Sequence, residues 1–324
     1  MLRPMGSTAG PAAPDRRIWI DGELVPWERA TVHVLSHGHQ RGSLIFDYLS
    51  LHETPRGPAV FRLDEHVERF LASAHLVGLP LARDAEAIRA AVLEAARANP
   101  GAKSVKVCAY LASVEVDVVP LDTHVTLAVA AYDPAADVIQ PKGAEPRGFS
   151  PLRIWVEKER RNRRGDILPP QAKCAANYAS PMAAKWDARR RGYDEVLLLD
   201  AEGNLAEGPT TNVFLVDGEG CLCTPPEETV LHGVTRRSVI DIARHEGIPV
   251  AVERVAPEAL FEAAEAFLTA TTAGVWAIES VDGKPFATPA PGPVTRALGE
   301  RLREIGEGRD PAFVHWLTPV NEGA

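Results

Sequence analysis

The sequence predicts an α+β protein of two lobes around a cleft, a small α/β N-terminal domain and a larger mixed α/β C-terminal domain. Three observations predict it. Strand-period and helix-period segments interleave along most of the chain. A stretch rich in Pro, Gly and Ala, residues 134–148, interrupts that alternation. The 324 residues, 45% of them hydrophobic, are enough for two domains with substantial cores. The expected boundaries are a disordered lead-in at 1–16, the small domain at 17–133, the linker at 134–148 and the large domain at 149–324.

Structure should begin near Ile18, where "IWIDGELVPW" places Asp21-Gly22 between short apolar runs, a hairpin signal. Residues 32–35 and 43–50 are β-rich, and "AVFRL" reads as another strand. The helix that follows Leu63-Asp64 carries Val67, Phe70, Leu71, Ala74 and Val77 at helical spacing and stops at Gly78 and Pro80. Asp84 caps a second helix with Ile88, Ala91, Val92 and Ala95 on one face, closed by Asn99-Pro100-Gly101. Strands at 104–111 and 125–131 complete the first unit. The second unit opens with the strand "LRIWVE", then a helix containing Lys173, a strand pair at 195–199 and 212–216 with a hairpin turn at Asp200–Gly203, and a helix over 234–246. The strands "IPVAVERV" and "EAFLTAT" and a helix over 294–305 end it. No internal repeat is present.

Bulk properties exclude several classes. A net charge of −9 argues against nucleic-acid binding, which favours a basic stripe. The one basic cluster, Lys158 to Arg164, reads as a solvated loop or helix end, with anion binding as the alternative. No run of about 18 apolar residues predicts a membrane span, and the N-terminus lacks the apolar run of a signal peptide. Four cysteines show no metal-ligand spacing and read as reduced thiols of a cytoplasmic protein. No metal is expected.

Chemistry concentrates on Lys173 in "QAKCAANY" and Glu207 in "LAEGPTTNVFLV". An amine and a carboxylate on neighbouring elements of such a core suit pyridoxal phosphate, the amine bonding the aldehyde and the carboxylate keeping the pyridine nitrogen protonated. The nearly charge-free "CAANYASPMAA" fits burial of Lys173, although a solvated lysine at a helix start fits local sequence too. "LHGVTRRSV" puts Val234 and Thr235 at a helix start, where free N–H groups and the helix dipole cradle a phosphate, or where Thr235 is simply an N-cap. "FLTATTAG" adds Thr269, Thr271 and Thr272, able to close a phosphate site or bond a carboxylate. Arg69, between Val67 and Phe70, either reaches inward to a phosphate or bridges to Glu65 on the helix surface.

In these segments, together with "VHVLSHG", "VFRLDEHVERFLASA" and "SVDGKPF", the chain resembles the class IV, fold-type IV pyridoxal-phosphate aminotransferases, most closely those acting on branched-chain amino acids. The resemblance covers most of the chain, from about Ile18 to Thr295. It implies that Lys173 joins the cofactor and then moves the substrate Cα proton, that Glu207 pairs with the ring nitrogen, and that Tyr178 bonds the phenolic oxygen. It implies a phosphate cup of Arg69, Val234, Thr235 and Thr271, a carboxylate contact at the Thr272 turn, and Phe46 as a wall of the side-chain pocket. The implied reaction moves an amino group from an amino acid, a branched-chain L-amino acid first, to a 2-oxo acid such as 2-oxoglutarate, in a homodimer.

Departures bear on substrate. Branched-chain members resemble one another in a tyrosine where this chain has Arg41, a glycine near Tyr48, and a Tyr-x-Arg where it reads Lys106-Val107-Cys108. Arg41 either replaces the missing strand arginine on a carboxylate or faces solvent, and Tyr48 narrows the pocket. These changes keep D-amino acid and (R)-amine transaminases and aminodeoxychorismate lyases as alternative readings, with a non-catalytic cofactor-binding protein a remote one.

Overall fold

The computed structural model describes residues 14–146 and 148–321, so residues 1–13 of the expected lead-in lie outside it. It is an α+β fold of two sheets, each backed by helices. The elements of the first are β1 (Arg17–Ile20), β2 (Glu23–Pro26), α1 (His37–Arg41), β3 (Leu44–Thr54), β4 (Gly57–Phe61), α2 (Leu63–Leu76), α3 (Ala85–Ala98), β5 (Ser104–Leu111) and β6 (Val125–Tyr132). The second half supplies β7 (Leu152–Arg161), α4 (Ala179–Arg190), β8 (Glu195–Leu199), β9 (Asn212–Val216), β10 (Leu222–Thr224), α5 (Val234–His245), β11 (Val250–Val252), β12 (Glu265–Ala270), β13 (Gly274–Val281), β14 (Lys284–Pro285), α6 (Pro293–Gly306) and β15 (Leu317–Pro319).

The first sheet is antiparallel, in the order β15-β4-β3-β5-β6-β1-β2. Its two faces follow from the period of 2 along each strand. Ile45 and Leu49 on β3, Val105, Val107 and Ala109 on β5, and Leu127 and Val129 on β6 pack with Val67, Phe70, Ile88 and Val92 of α2 and α3. Phe46, Tyr48, Lys106 and Cys108 therefore share the opposite face, where Phe46 pairs with Cys108 and Tyr48 with Lys106. The second sheet runs β11-β10-β9-β12-β13-β7-β8, with β13, β7 and β8 mutually parallel neighbours. Its cores fill both faces, one around Leu152, Leu197 and Leu268, the other around Phe214, Phe267 and Leu298 with α5 and α6.

Five expectations need correction. The strands at 195–199 and 212–216 do not pair with each other: β8 ends the sheet beside β7, while β9 lies between β10 and β12. Residues 32–35 are not a strand: His33 Nδ1 accepts from Leu35 N and folds the segment into a turn. Ser36 then caps the short helix α1, which the periodicity does not announce. Lys173 does not sit in a helix. It lies in an extended stretch held by hydrogen bonds to Ser73 and Phe46, and the helix α4 starts only at Ala179. The strand "IPVAVERV" shrinks to Val250–Val252. Finally, part of the linker is coiled into short turns, Pro134–Ile139 and Gln140–Lys142, started by Asp133 accepting from Ala135 N. Among the described residues no helix is long and apolar enough to cross a membrane.

Candidate active site

Lys173 is stitched between the two halves by its backbone. Its N–H donates to Ser73 Oγ of α2 at 3.0 Å, its carbonyl accepts from Phe46 N of β3 at 3.0 Å, and Cys174 bridges to Ile45. That anchorage fixes the side chain, whose Nζ lies 3.3 Å from the Tyr178 hydroxyl and 5.1 Å from the Phe46 ring centre. Burial, reinforced by the Arg69 and Arg163 cations, pulls the Lys173 pKa down to about 7, against the opposing pull of Asp47 and Glu207. An amine with a large neutral fraction at neutral pH is a nucleophile and a base. Burial pushes the Tyr178 hydroxyl up to about 12, so it stays a proton donor.

Glu207 stands between β8 and β9, fully buried, with four donors on its carboxylate. Arg163 Nη1 (2.8 Å) and Asn162 Nδ2 (3.3 Å) reach Oε1; Asn212 Nδ2 (3.2 Å) and Leu231 N (3.1 Å) reach Oε2. Burial lifts its pKa above the ordinary carboxylate value, while Arg163 and the Leu231 N–H pull the other way. The Arg163 guanidinium also covers the Tyr178 ring at 4.9 Å, which ties Glu207 to the Lys173–Tyr178 pair.

Arg69 points inward rather than to Glu65, which is bound by Arg62. Its fork grips Asp47 through Nε (2.9 Å) and Nη2 (2.7 Å), and Nη1 donates to the His232 carbonyl at 3.0 Å. His232 lies just ahead of the start of α5, so the guanidinium is fixed beside Val234 and Thr235. Those residues carry uncapped N–H groups, since no side chain caps α5. Gly233 is required there because a Cβ would overlap Asn212 Oδ1. Thr235, Thr271 and Thr272 meet on one cleft of about 440 Å³ that His66 also lines. Lys173, Tyr178 and Glu207 do not line that cleft; His66, bonded to Asp47 at 2.7 Å, joins it to the Arg69 cluster.

The profile of the family described as "Amino-transferase class IV" matches residues 46–281, from Phe46 to the end of β13. The chain belongs to the class IV aminotransferases. The branched-chain-amino-acid aminotransferase of Pseudomonas aeruginosa is 32% identical over 314 residues, covering 94% of this chain and 98% of that protein. Among solved structures, the branched-chain aminotransferase of Thermoproteus uzoniensis with norvaline superposes with a TM-score of 0.85 at 33% identity, over 94% of this chain and 99% of that one. A T.th. branched-chain amino acid aminotransferase, solved with pyridoxamine 5'-phosphate and with N-(5'-phosphopyridoxyl)-L-glutamate, gives 0.87 at 33% identity, over 95% and 100%.

The remaining sequence-read residues of this aminotransferase, Phe46, Tyr48 and Arg41, lie on β3 and at the end of α1. The Phe46 ring lies tilted against that of Tyr178, their centres 5.1 Å apart. Tyr48 lies two residues on along the same face of β3, its hydroxyl bonded with Ser104 and Tyr132. Arg41 ends α1, exposed, and donates to Val116 O at 3.1 Å. The next residue, Gly42 (φ 71°), brings its backbone against Ala176, three residues after Lys173. Sequence reasoning missed Asp47, His66, Arg163, Asn162 and Asn212. Asp47 had a signal: it occupies an inward position of β3 between Ile45 and Leu49, where a carboxylate needs a cation. Arg163 was hidden in the basic cluster, where it turns onto Glu207 while Arg160 pairs with Asp187 and Arg164 with Asp166. Cys221 and Cys223, read without metal spacing, share a turn with Asp217 in which the three ligand atoms lie within 4.8 Å of one another.

Proposed function

We propose that this aminotransferase uses pyridoxal 5'-phosphate to move an amino group from a branched-chain L-amino acid to a 2-oxo acid such as 2-oxoglutarate. The observation that carries the reading is the Lys173 amine, its pKa pulled to about 7, in contact with Tyr178 and beside the four-donor carboxylate of Glu207. The residues fit the cofactor. The start of α5 offers uncapped N–H groups, Thr269 near the end of β12 has a buried hydroxyl without a partner among the described residues, and Arg69 supplies a fixed cation.

Val234 and Thr235 N–H groups, the Thr235 and Thr271 hydroxyls and Arg69 would hold the phosphate, Glu207 the ring nitrogen and Tyr178 the phenolic oxygen. When bound, the cofactor supplies an electron sink for the charge that forms at the substrate Cα. Lys173, in its neutral form, takes the proton from Cα and returns it on the same face of the site. Tyr178 holds that amine in place from 3.3 Å, and Arg163 keeps Glu207 anchored. Phe46 and Tyr48 would bound the side-chain pocket, the Thr272 turn would meet the α-carboxylate, and Arg41 would meet the distal carboxylate of a dicarboxylic acid from the rim. The similarity to proteins named as branched-chain aminotransferases, and to complexes with norvaline and a glutamate conjugate, favours this substrate class.

A homodimer is part of the proposal. Val116, Val118, Val119 and Leu121 are 71–95% exposed on the loop that receives Arg41, an apolar surface suited to a second copy. A cytoplasmic location accompanies it. The test is spectroscopic: the loaded protein should be yellow, be fixed by borohydride at Lys173, and bleach with L-leucine faster than with D-alanine or (R)-1-phenylethylamine. A Lys173→Ala protein that still gave the borohydride adduct would sink the assignment.

A further inference from the structure

Two lysines approach the Phe46 ring. Lys173 Nζ sits 5.1 Å from its ring centre, and Lys106 Nζ, reaching across from β5, sits 4.9 Å from the same centre. Lys106 belongs to the sheet face that carries Phe46, Tyr48 and Cys108, opposite the face buried by α2 and α3, and its side chain is half-buried there. Its register partners are Tyr48 on β3 and Ala130 on β6.

The charges around it are unusual. The carboxylates of the site are already committed: Asp47 to Arg69 and His66, and Glu207 to Arg163. The Tyr48 hydroxyl is committed to Ser104 and Tyr132. Among the described residues Lys106 has no carboxylate partner, only the face of Phe46. A cation–π contact is weak beside an ion pair and satisfies none of the three ammonium donors. By contrast, other half-buried cations of this chain, such as Arg16 with Asp137 and Lys185 with Glu195, hold carboxylates.

We infer that Lys106 is the cation that binds a carboxylate of the amino and oxo acid substrates, and so selects acids over simple amines. The inference rests on the aminotransferase reading above. Both ammoniums lie about 5 Å from one ring centre, so an acid whose reacting carbon is served by Lys173 would carry a carboxylate toward Lys106, and charge-assisted hydrogen bonds beside an apolar wall are strong. Arg41 differs in being exposed and already bonded to a carbonyl. A carboxylate from either end of the substrate has the required chemistry, and the test separates the two.

The test titrates the cofactor-loaded protein with three non-reacting ligands, 4-methylpentanoate, glutarate and the uncharged 4-methylpentanamide, read by the cofactor absorbance and by thermal shift. Lys106→Met should weaken acid binding at least about tenfold, leave the amide unchanged, and Lys106→Arg should recover most of the loss. Weakening of both acids assigns Lys106 to the α-carboxylate, and weakening of glutarate alone assigns it to the distal one. Unchanged acid binding, or equal loss of acids and amide, overturns the inference. Should Lys106→Met fail to fold, Lys106→Gln gives the same comparison with the amide. A wild-type protein that captures the cofactor on Lys173 yet binds neither acid overturns this inference alone; failure of Lys173 to capture it overturns the parent reading.

Discussion

Arg69 grips both oxygens of Asp47, at 2.9 and 2.7 Å, with a third bond to the His232 carbonyl ahead of α5. Burial would raise the Asp47 pKa, but Arg69 and His66 outweigh it and hold the carboxyl well below the usual range. The ion pair is what aims a cation at the start of α5 from a helix on the other sheet. Asp47→Asn should therefore cost about 3–5 kcal/mol, because it leaves Arg69 buried without a counter-charge. Denaturant unfolding measures that, and phosphate-bearing cofactor affinity should fall with it. An unchanged unfolding midpoint would contradict the role given to Asp47.

Arg163 and Glu207 set the second expectation. Glu207→Gln replaces an acceptor oxygen by a donor facing Arg163 or the Leu231 N–H. The turnover number should drop about 10²–10³-fold, the range for losing one preorganised electrostatic group, while KM for the amino donor changes much less. Steady-state kinetics with L-leucine decides it, and a KM effect without a kcat effect speaks against the ring-nitrogen role.

The depressed Lys173 pKa has a pH signature. The rate at which cofactor-free protein captures pyridoxal phosphate should rise with pH through a midpoint near 7, the value to which burial and Arg69 pull the amine. The sign for stability follows. The unfolded lysine holds its proton to higher pH than the folded one, so cofactor-free protein gains stability as pH rises from about 7 toward the ordinary lysine range. Lys173→Met should be more stable than wild type at pH 6, with the difference shrinking by pH 9. Each kcal/mol is worth about 2–4 °C in a domain of 150–250 residues. Parallel melting curves at the two pH values with a constant offset would refute the coupling.

Gly233→Ala tests the turn before α5. Its Cβ would overlap Asn212 Oδ1, and Asn212 holds Glu207, so relief requires moving a site residue. Destabilisation of about 1–3 kcal/mol is expected, with weaker cofactor binding by equilibrium dialysis. Wild-type affinity in the variant would show that the close approach is not needed.

The sequence by itself determined most of the local elements and singled out the groups proposed to react. Helices α2, α3, α5 and α6 were legible because 3.6-residue apolar spacing and caps such as Asp84 are local features. Lys173, Glu207 and Tyr178 were legible because their motifs are short. What only the tertiary structure decided was which charges meet. Asp47 reaches Arg69 across 22 positions and Arg163 reaches Glu207 across 44, pairings that no local period encodes. The extended backbone at Lys173 was likewise decided from afar, by hydrogen bonds to Ser73 and Phe46 that outweigh any helical tendency of its neighbours. Side-chain chemistry is written residue by residue, but the dielectric and the counter-charges that tune it exist only once distant segments are packed together.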